Sequence, residues 1–371
     1  MNKVNLSLSG IIIFLLAISL LSQAEKVLWQ KKLDSPICQI SFNDNLVVAS
    51  QKEVVYFDQN GENLQKFPLK ENQFASLSKN GEVFAIGTHR PHVKEIIEKI
   101  ELFNQKGKLL STIKENGFPF LSPDGSWLIV VNRFKNEVSF FNKEGEFMGR
   151  HQFNDLRGLS LAFSDDSRYL LVNIPNRGKG KTSGFLTLFD KNGKELWRYE
   201  HPGSTTGQIA ISKDGKIILF SSEKGLYSLN RKGRLNWGKT LKPGGILISL
   251  SANARYIALS RREDNSISLL KAKDGSLIWK KEIPGFDGYN SPFTSINVTD
   301  EGLIVATISK SWSLKNDKSY LCFLKDKKIL SQSEFSQQSV KAEISKSNHN
   351  IILIAKNNLV IYRDSLMKGA D

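Results

Sequence analysis

The chain has 371 residues, of which 40% are hydrophobic and 10% aromatic, and it carries a formal net charge of +15. That apolar content, rich in Phe and β-branched types, can bury a sizeable core and excludes a globally disordered chain. The positive balance favours anionic surroundings such as membrane headgroups, acidic polysaccharide or acidic protein faces, and disfavours nucleic acid only in so far as the chain is exported.

The N-terminus sets out Lys3, an apolar run from Gly10 to Leu21, then Ser22, Gln23 and Ala24 before Glu25. This is the order of a secretory signal peptide, with cleavage expected after Ala24. The alternative is a retained N-terminal membrane anchor, although the run is short against the roughly 17–25 residues a span requires. Residues 1–24 are therefore read as a signal and 25–371 as one domain of an exported protein, periplasmic or secreted.

From there the chain repeats. An apolar residue, a Ser or Thr and a turn recur at Ser41, Ser78, Ser122, Ser164, Ser212, Ser251, Thr299 and Ser345, with gaps of 37, 44, 42, 48, 39, 48 and 46 residues. A mean spacing of roughly 43 suits a four-stranded propeller blade and is too long for most solenoids. After each marker comes a near-continuous apolar run, for example Trp127 to Asn132 or Ile217 to Ser221, as expected for a strand covered on both faces. A variable loop leads to a third strand. A hairpin turn follows, with Gly at 61, 107, 145, 193, 233 and 275, where positive φ is needed. The fourth strand of three repeats holds Trp197, Trp237 or Trp279.

The eighth repeat ends after Asn358 to Arg363 with little left to make a fourth strand, whereas the segment KVLWQKKL, Lys26 to Leu33 with Trp29, matches SLIWKKEI around Trp279. The N-terminal strand is thus expected to complete the last blade and close the ring, which removes an open edge. The expectation is an all-β, eight-bladed propeller of four-stranded antiparallel blades, with seven blades as the alternative. Cys38 falls on the first strand of blade 1 and Cys322 on the third strand of blade 7, too far apart to bridge; both are expected to be buried free thiols.

The segment SPDGSWLIVVN (Ser122 to Asn132) resembles the first hairpin of WD-repeat-like bacterial propellers. LFDKNGKELW resembles the tryptophan-docking motif of PQQ-like propellers, in which a strand-end Asp, a turn Gly and a Trp lock adjacent blades; here these are Asp190, Gly193 and Trp197. The quinoprotein enzymes of that superfamily use a vicinal Cys pair and an acidic Ca²⁺ site. This chain has no adjacent cysteines and no obvious acidic cluster on the corresponding loops, so the resemblance is to the cofactor-free branch of extracytoplasmic scaffolds.

No contiguous motif signals chemistry. His89 and His92 flank Pro91 in a loop, while His151, His201 and His349 lie in separate blades, so no zinc spacing emerges. Nucleophile-elbow, Walker and dinucleotide motifs do not occur. The PDG, KDG and NDN turns lack the ligand spacing of a Ca²⁺ loop and read as hairpins. No catalytic residue, metal or cofactor is assigned.

The candidate site is instead a face. In a four-stranded blade the loop between strands two and three shares a face with the connection to the next blade. These loops are long here and place Arg90, Arg133, Lys135, Arg177, Lys179, Lys181, Arg261 and Arg262 together, with Phe134, Tyr289 and Trp312 as apolar anchors. Arg and aromatic residues dominate interface hot spots. The expectation is a monomeric scaffold binding a protein or anionic polysaccharide, with peripheral membrane contact as a further option. The alternative is a propeller enzyme of lactonase or lyase type, with polar residues converging on the channel mouth.

Overall fold

The computed structural model describes residues 25–42, 45–88, 99–176, 183–203, 207–222, 224–241, 245–284, 293–310, 318–335, 340–344 and 350–364. Among them are thirty-two β-strands, which pair into eight four-stranded antiparallel sheets. No helix among the described residues is long and apolar enough to cross a membrane.

Blade 1 consists of β2 (Ile37–Phe42), β3 (Leu46–Ser50), β4 (Glu53–Phe57) and β5 (Asn63–Pro68), ordered from first strand to fourth. Blades 2 to 7 take β6 to β29 in consecutive fours. Blade 8 consists of β30 (Lys341–Ile344), β31 (Asn350–Ala355), β32 (Asn358–Asp364) and, as its outer strand, β1 (Glu25–Lys32). There are eight blades, not seven, and the N-terminal strand closes the ring. The second strands are largely buried, completely so in β3 and β11 (Trp127–Asn132), because neighbouring blades cover both of their faces.

The marker serines build the turn between strands one and two. Ser122 Oγ donates to Asp124 Oδ1 and accepts from Trp127 N, while Gly125 takes φ +70° and Asp124 Oδ1 accepts from Ser126 N. The same unit recurs at Ser78 with Asn80 and at Ser212 with Asp214. A side-chain oxygen that reaches back to its own turn amides is the usual Asx or Ser turn chemistry. These turns also clip neighbouring blades: Asn80 N donates to Pro123 O, Asp124 N to Ser167 Oγ, and Trp127 Nε1 to Ser167 O at 2.7 Å.

Every fourth strand starts with a bulge, two of its residues opposing one on strand three. The register shifts at Tyr56/Phe57, Leu102/Phe103, Phe140/Phe141, Leu188/Phe189, Ser228/Leu229, Leu269/Leu270 and Phe323/Leu324. In blade 8 the shift lies between Val27 and Trp29, so Leu28-Trp29 occupies the place of Leu196-Trp197 in blade 4.

In blades 4, 5 and 8 the tryptophan that follows the bulge docks forward, onto the next blade. Trp29 Nε1 donates to Gln59 O, Trp197 Nε1 to Arg231 O and Trp237 Nε1 to Ala272 O. Each indole covers the turn glycine of that blade: a Cβ on Gly61, Gly233 or Gly275 would lie within 2.9 Å of the ring. Asp190, Gly193 and Trp197 therefore do not lock one another. Gly193 receives Phe140 from blade 3, while Trp197 reaches blade 5. Where Trp is missing, a smaller residue makes part of the same contact, for Gln65 Nε2 donates to Lys106 O and Ser111 Oγ to Lys143 O. Trp279 packs in a cluster with Leu324 and Ile329, which flank the glycine-free Asp326-Lys327 turn of blade 7, and its Nε1 has no hydrogen-bond partner among the described residues.

Both cysteines are free, but only Cys322 is buried. Cys38 is exposed, contrary to the sequence expectation, because β2 shifts register between Ile37 and Gln39 and leaves Cys38 outside the ladder. The first strand of a blade borders the channel, so an unpaired residue there meets water.

Candidate functional site

On the long-loop face, four of the ten predicted residues lie among the described residues: Arg133, Lys135, Arg261 and Arg262. Arg90, Arg177, Lys179, Lys181, Tyr289 and Trp312 lie outside them, as do the loops that carry them.

The blade 3 loop is short and held from within. Asn132 Oδ1 accepts from Phe134 N and Lys135 N, Lys135 O accepts from Gln152 Nε2 at 2.6 Å, and Asn136 adopts φ +56° with its Oδ1 accepting from Leu156 N. The tip that results projects Arg133, Phe134 and Lys135 outward, Phe134 being 87% exposed. Arg133 lies over the Phe118 ring at 5.8 Å, and Phe118 packs on Phe74 of blade 2 at 5.1 Å. A guanidinium on an aromatic ladder crosses two blades at this point. Phe74 and Phe118 are invisible as site residues in the sequence, since they begin first strands and look like ordinary core residues.

The blade 6 loop is organised differently. The Arg261 side chain is only 12% exposed and pairs with Asp264 at 3.2 Å, and Asp264 also accepts from Lys280 Nζ and Ser266 Oγ. Burial alone would raise the Asp264 carboxyl, but those hydrogen bonds and the nearby Arg261 and Lys280 charges outweigh it and hold it below the ordinary carboxylate range. Arg261 thus spends its charge inside the loop. Arg262 extends the loop, its N–H donating to Gly245 O.

The channel opens on the opposite face, between the strand one to strand two turns. It encloses a cavity of about 770 Å³ lined by first strands and by Lys79, Asp124, Asp165, Lys213, Lys341 and Glu343, among others. Lys79 of blade 2 reaches past blade 3 to Asp165 of blade 4 at 2.5 Å. Asp124 serves its own turn. Glu343 faces channel water but has protein on most sides; burial pushes its carboxyl up against the opposing pull of Lys79 and Lys341. Three carboxylates line the mouth, yet no group of three His, Cys, Asp or Glu among the described residues could hold a metal ion.

The raised Glu343 carboxyl should show in the pH dependence of stability. A carboxylate whose folded pKa lies above its unfolded value withdraws stability as pH rises through the unfolded pKa and up to the folded one. Glu343→Gln is therefore expected to raise the melting temperature at about pH 7, with the gain disappearing near about pH 4, where both forms are neutral. Thermal melts of the two chains at both pH values check this.

Eight four-stranded sheets in a closed ring, clipped at the turns and docked blade to blade by indoles on turn glycines, define an eight-bladed β-propeller. Residues 182–361 match the family described as outer membrane protein assembly factor BamB. Among solved structures, BamB from Moraxella catarrhalis aligns with a TM-score of 0.64 at 13% identity, covering 91% of this chain and 99% of that one. The C-terminal WD40 domain of Sif2 aligns with a TM-score of 0.65 at 13% identity, over 91% and 97%. The Dos1 propeller aligns with a TM-score of 0.62 at 11% identity, over 93% and 95%. At these identities the likeness shows the fold alone. No curated protein matches the sequence.

Proposed function

We propose that the chain is a non-enzymatic, extracytoplasmic propeller that serves as a rigid platform for a protein partner bound on its long-loop face. The observation that carries this reading is the Arg133-Phe134-Lys135 tip: an exposed aromatic and two cations on a backbone held by internal hydrogen bonds, beside the Phe74-Phe118 ladder. A loop backbone that is already ordered loses little freedom on binding, and the Arg and aromatic side chains it presents suit a protein hot spot. Arg90, Arg177, Lys179, Lys181, Arg262, Tyr289 and Trp312 belong to the same proposed face, with Arg261 as a positioning residue. Support for export comes from the Lys3, Gly10 to Leu21 and Ala24 pattern and from the outer-membrane assembly description of the matching family. An anionic polysaccharide is the second ligand class the cations would admit.

A photoreactive residue at position 134 is expected to crosslink to one protein in the native extracytoplasmic compartment, and the Arg133→Ala, Phe134→Ala double variant to lower that partner's affinity by roughly tenfold to a hundredfold. Unchanged affinity in the double variant would sink the proposal.

The enzymatic alternative of lactonase or lyase type rests on the channel carboxylates. Asp165 is paired and Asp124 is engaged in its turn, which leaves Glu343 as the group such chemistry would use. Hydrolysis of lactone substrates abolished by Glu343→Gln would establish that alternative in place of the platform.

A further inference from the structure

The bulge that opens each fourth strand leaves one or two side chains facing solvent at the hairpin end of the ring. In blades 4 to 7 these are Leu196, Leu235, Leu277, Ile278 and Leu330, exposed by 40% to 52%. Their turns are neighbours in space, since Trp197 lies on Gly233 and Trp237 on Gly275. The same turns carry exposed cations: Lys191 and Lys194 in blade 4, Arg231 and Lys232 in blade 5, Lys273 in blade 6 and Lys327 in blade 7. None of these six forms an ion pair among the described residues. The acids interleaved with them are partly committed, for Asp190 Oδ1 caps Asn192 N and Lys194 N, and Asp274 Oδ1 caps Ser276 N.

We propose that the hairpin end of blades 4 to 7 docks on the surface of an anionic lipid bilayer, with Leu196, Leu235, Leu277, Ile278 and Leu330 entering the headgroup layer and the turn lysines and arginines meeting the phosphates. The spacing selects this occupant. The apolar side chains stand singly or in pairs, one blade apart, with no groove between them, whereas a protein interface requires a contiguous close-packed core. A bilayer needs only shallow entry of separate side chains, reinforced by cations near its surface.

Blades 1 and 3 supply a built-in contrast: Leu64 and Phe147 are exposed at the equivalent places, but their turns carry Glu62, Glu144 and Glu146; blade 2, with exposed Leu109 and Leu110 beside Lys106 and Lys108, repeats the basic pattern singly between them, whereas blades 4 to 7 carry it side by side. Docking through blades 4 to 7 leaves the long-loop face turned toward the compartment. It does not depend on the partner proposed for that face.

Cosedimentation with vesicles tests the docking, using the chain from Glu25 onward, which contains every strand of the eight sheets. Binding to vesicles rich in phosphatidylglycerol and its absence with phosphatidylcholine alone are expected. Replacing Leu196, Leu235, Leu277 and Leu330 by Ser is expected to lower partitioning by roughly tenfold or more, while Leu64→Ser with Phe147→Ser leaves it unchanged. Circular dichroism and melting of each variant confirm that the fold is kept. No binding by the parent chain, equal loss in the blade 1 and 3 variant, or full binding by the four-Ser variant would overturn the proposal. So would binding to a soluble polyanion that competes fully with vesicles and ignores the Leu substitutions, which would make the surface electrostatic only.

Discussion

Removal of residues 25–32 is expected to abolish cooperative folding at ordinary temperature. These residues are β1, the outer strand of blade 8, and all of its backbone pairing is with β32, from Glu25 opposite Asp364 to Lys32 opposite Asn358. Their loss leaves a three-stranded blade and an unpaired edge on β32. It also removes Trp29, whose ring covers Gly61 and whose Nε1 donates to Gln59 O, so blade 8 comes loose from blade 1 at the same moment. Leu33, which follows at the strand end and donates to Asn357 O, would lose its anchor. A strand, an indole and a ring closure together amount to on the order of 5–10 kcal/mol, comparable with the whole stability of an ordinary domain. Urea unfolding followed by near-ultraviolet circular dichroism reads the effect. Adding the peptide EKVLWQKK in trans is expected to restore part of the signal. A truncated chain with an unchanged unfolding midpoint would refute the closure.

The second large effect is expected at Gly233. Its φ of +74° is disfavoured for a residue with a Cβ, and the added Cβ would stand 2.8 Å from the Trp197 ring. The indole cannot retreat without breaking its hydrogen bond to Arg231 O at 2.8 Å. Strain, displaced contact and a lost hydrogen bond add to about 2–4 kcal/mol for Gly233→Ala. The clash exists only while the indole is present, so a double-mutant cycle with Trp197→Ala should be non-additive: the double variant is less destabilised than the sum of the singles. Additive values from denaturant melts would mean that the turn backbone alone sets the cost and that docking contributes little.

Trp197 shows how far the sequence could be read. Its place after a glycine turn marks a docking device, yet the partner lies about one repeat further on, at Gly233, and not at Gly193 in the same hairpin. A motif records local spacing; which blade lies against it is a property of the ring. Gln65 and Ser111 make the same point. Nothing in a Gln or a Ser announces a role shared with tryptophan, and only the carbonyl of the next turn, Lys106 O or Lys143 O, reveals it. Cys38 is the converse case: its apolar strand implies burial, and a one-residue register shift exposes it.

For the proposed face the sequence supplies loop length and Arg content only. Loop length and Arg content pointed to residues 133–135 and 261–262, because a loop that need not pack is free to vary. That Arg133 rests on an aromatic ladder while Arg261 is consumed by Asp264 depends on side chains from other strands and blades, which sequence spacing does not encode.

By itself, then, the sequence determined the strand count, the blade period, the turn chemistry and the strand that shuts the ring, since each follows from local hydrophobic periodicity and from residues whose own side chains satisfy their own turns. Only the tertiary structure decided which blade each tryptophan grips, which cations stay free to meet a partner, and that the bulge residues form an apolar and basic arc at the hairpin end. Those depend on distances between repeats some forty residues apart, set by ring closure and by the twist of each blade, and no local pattern carries them.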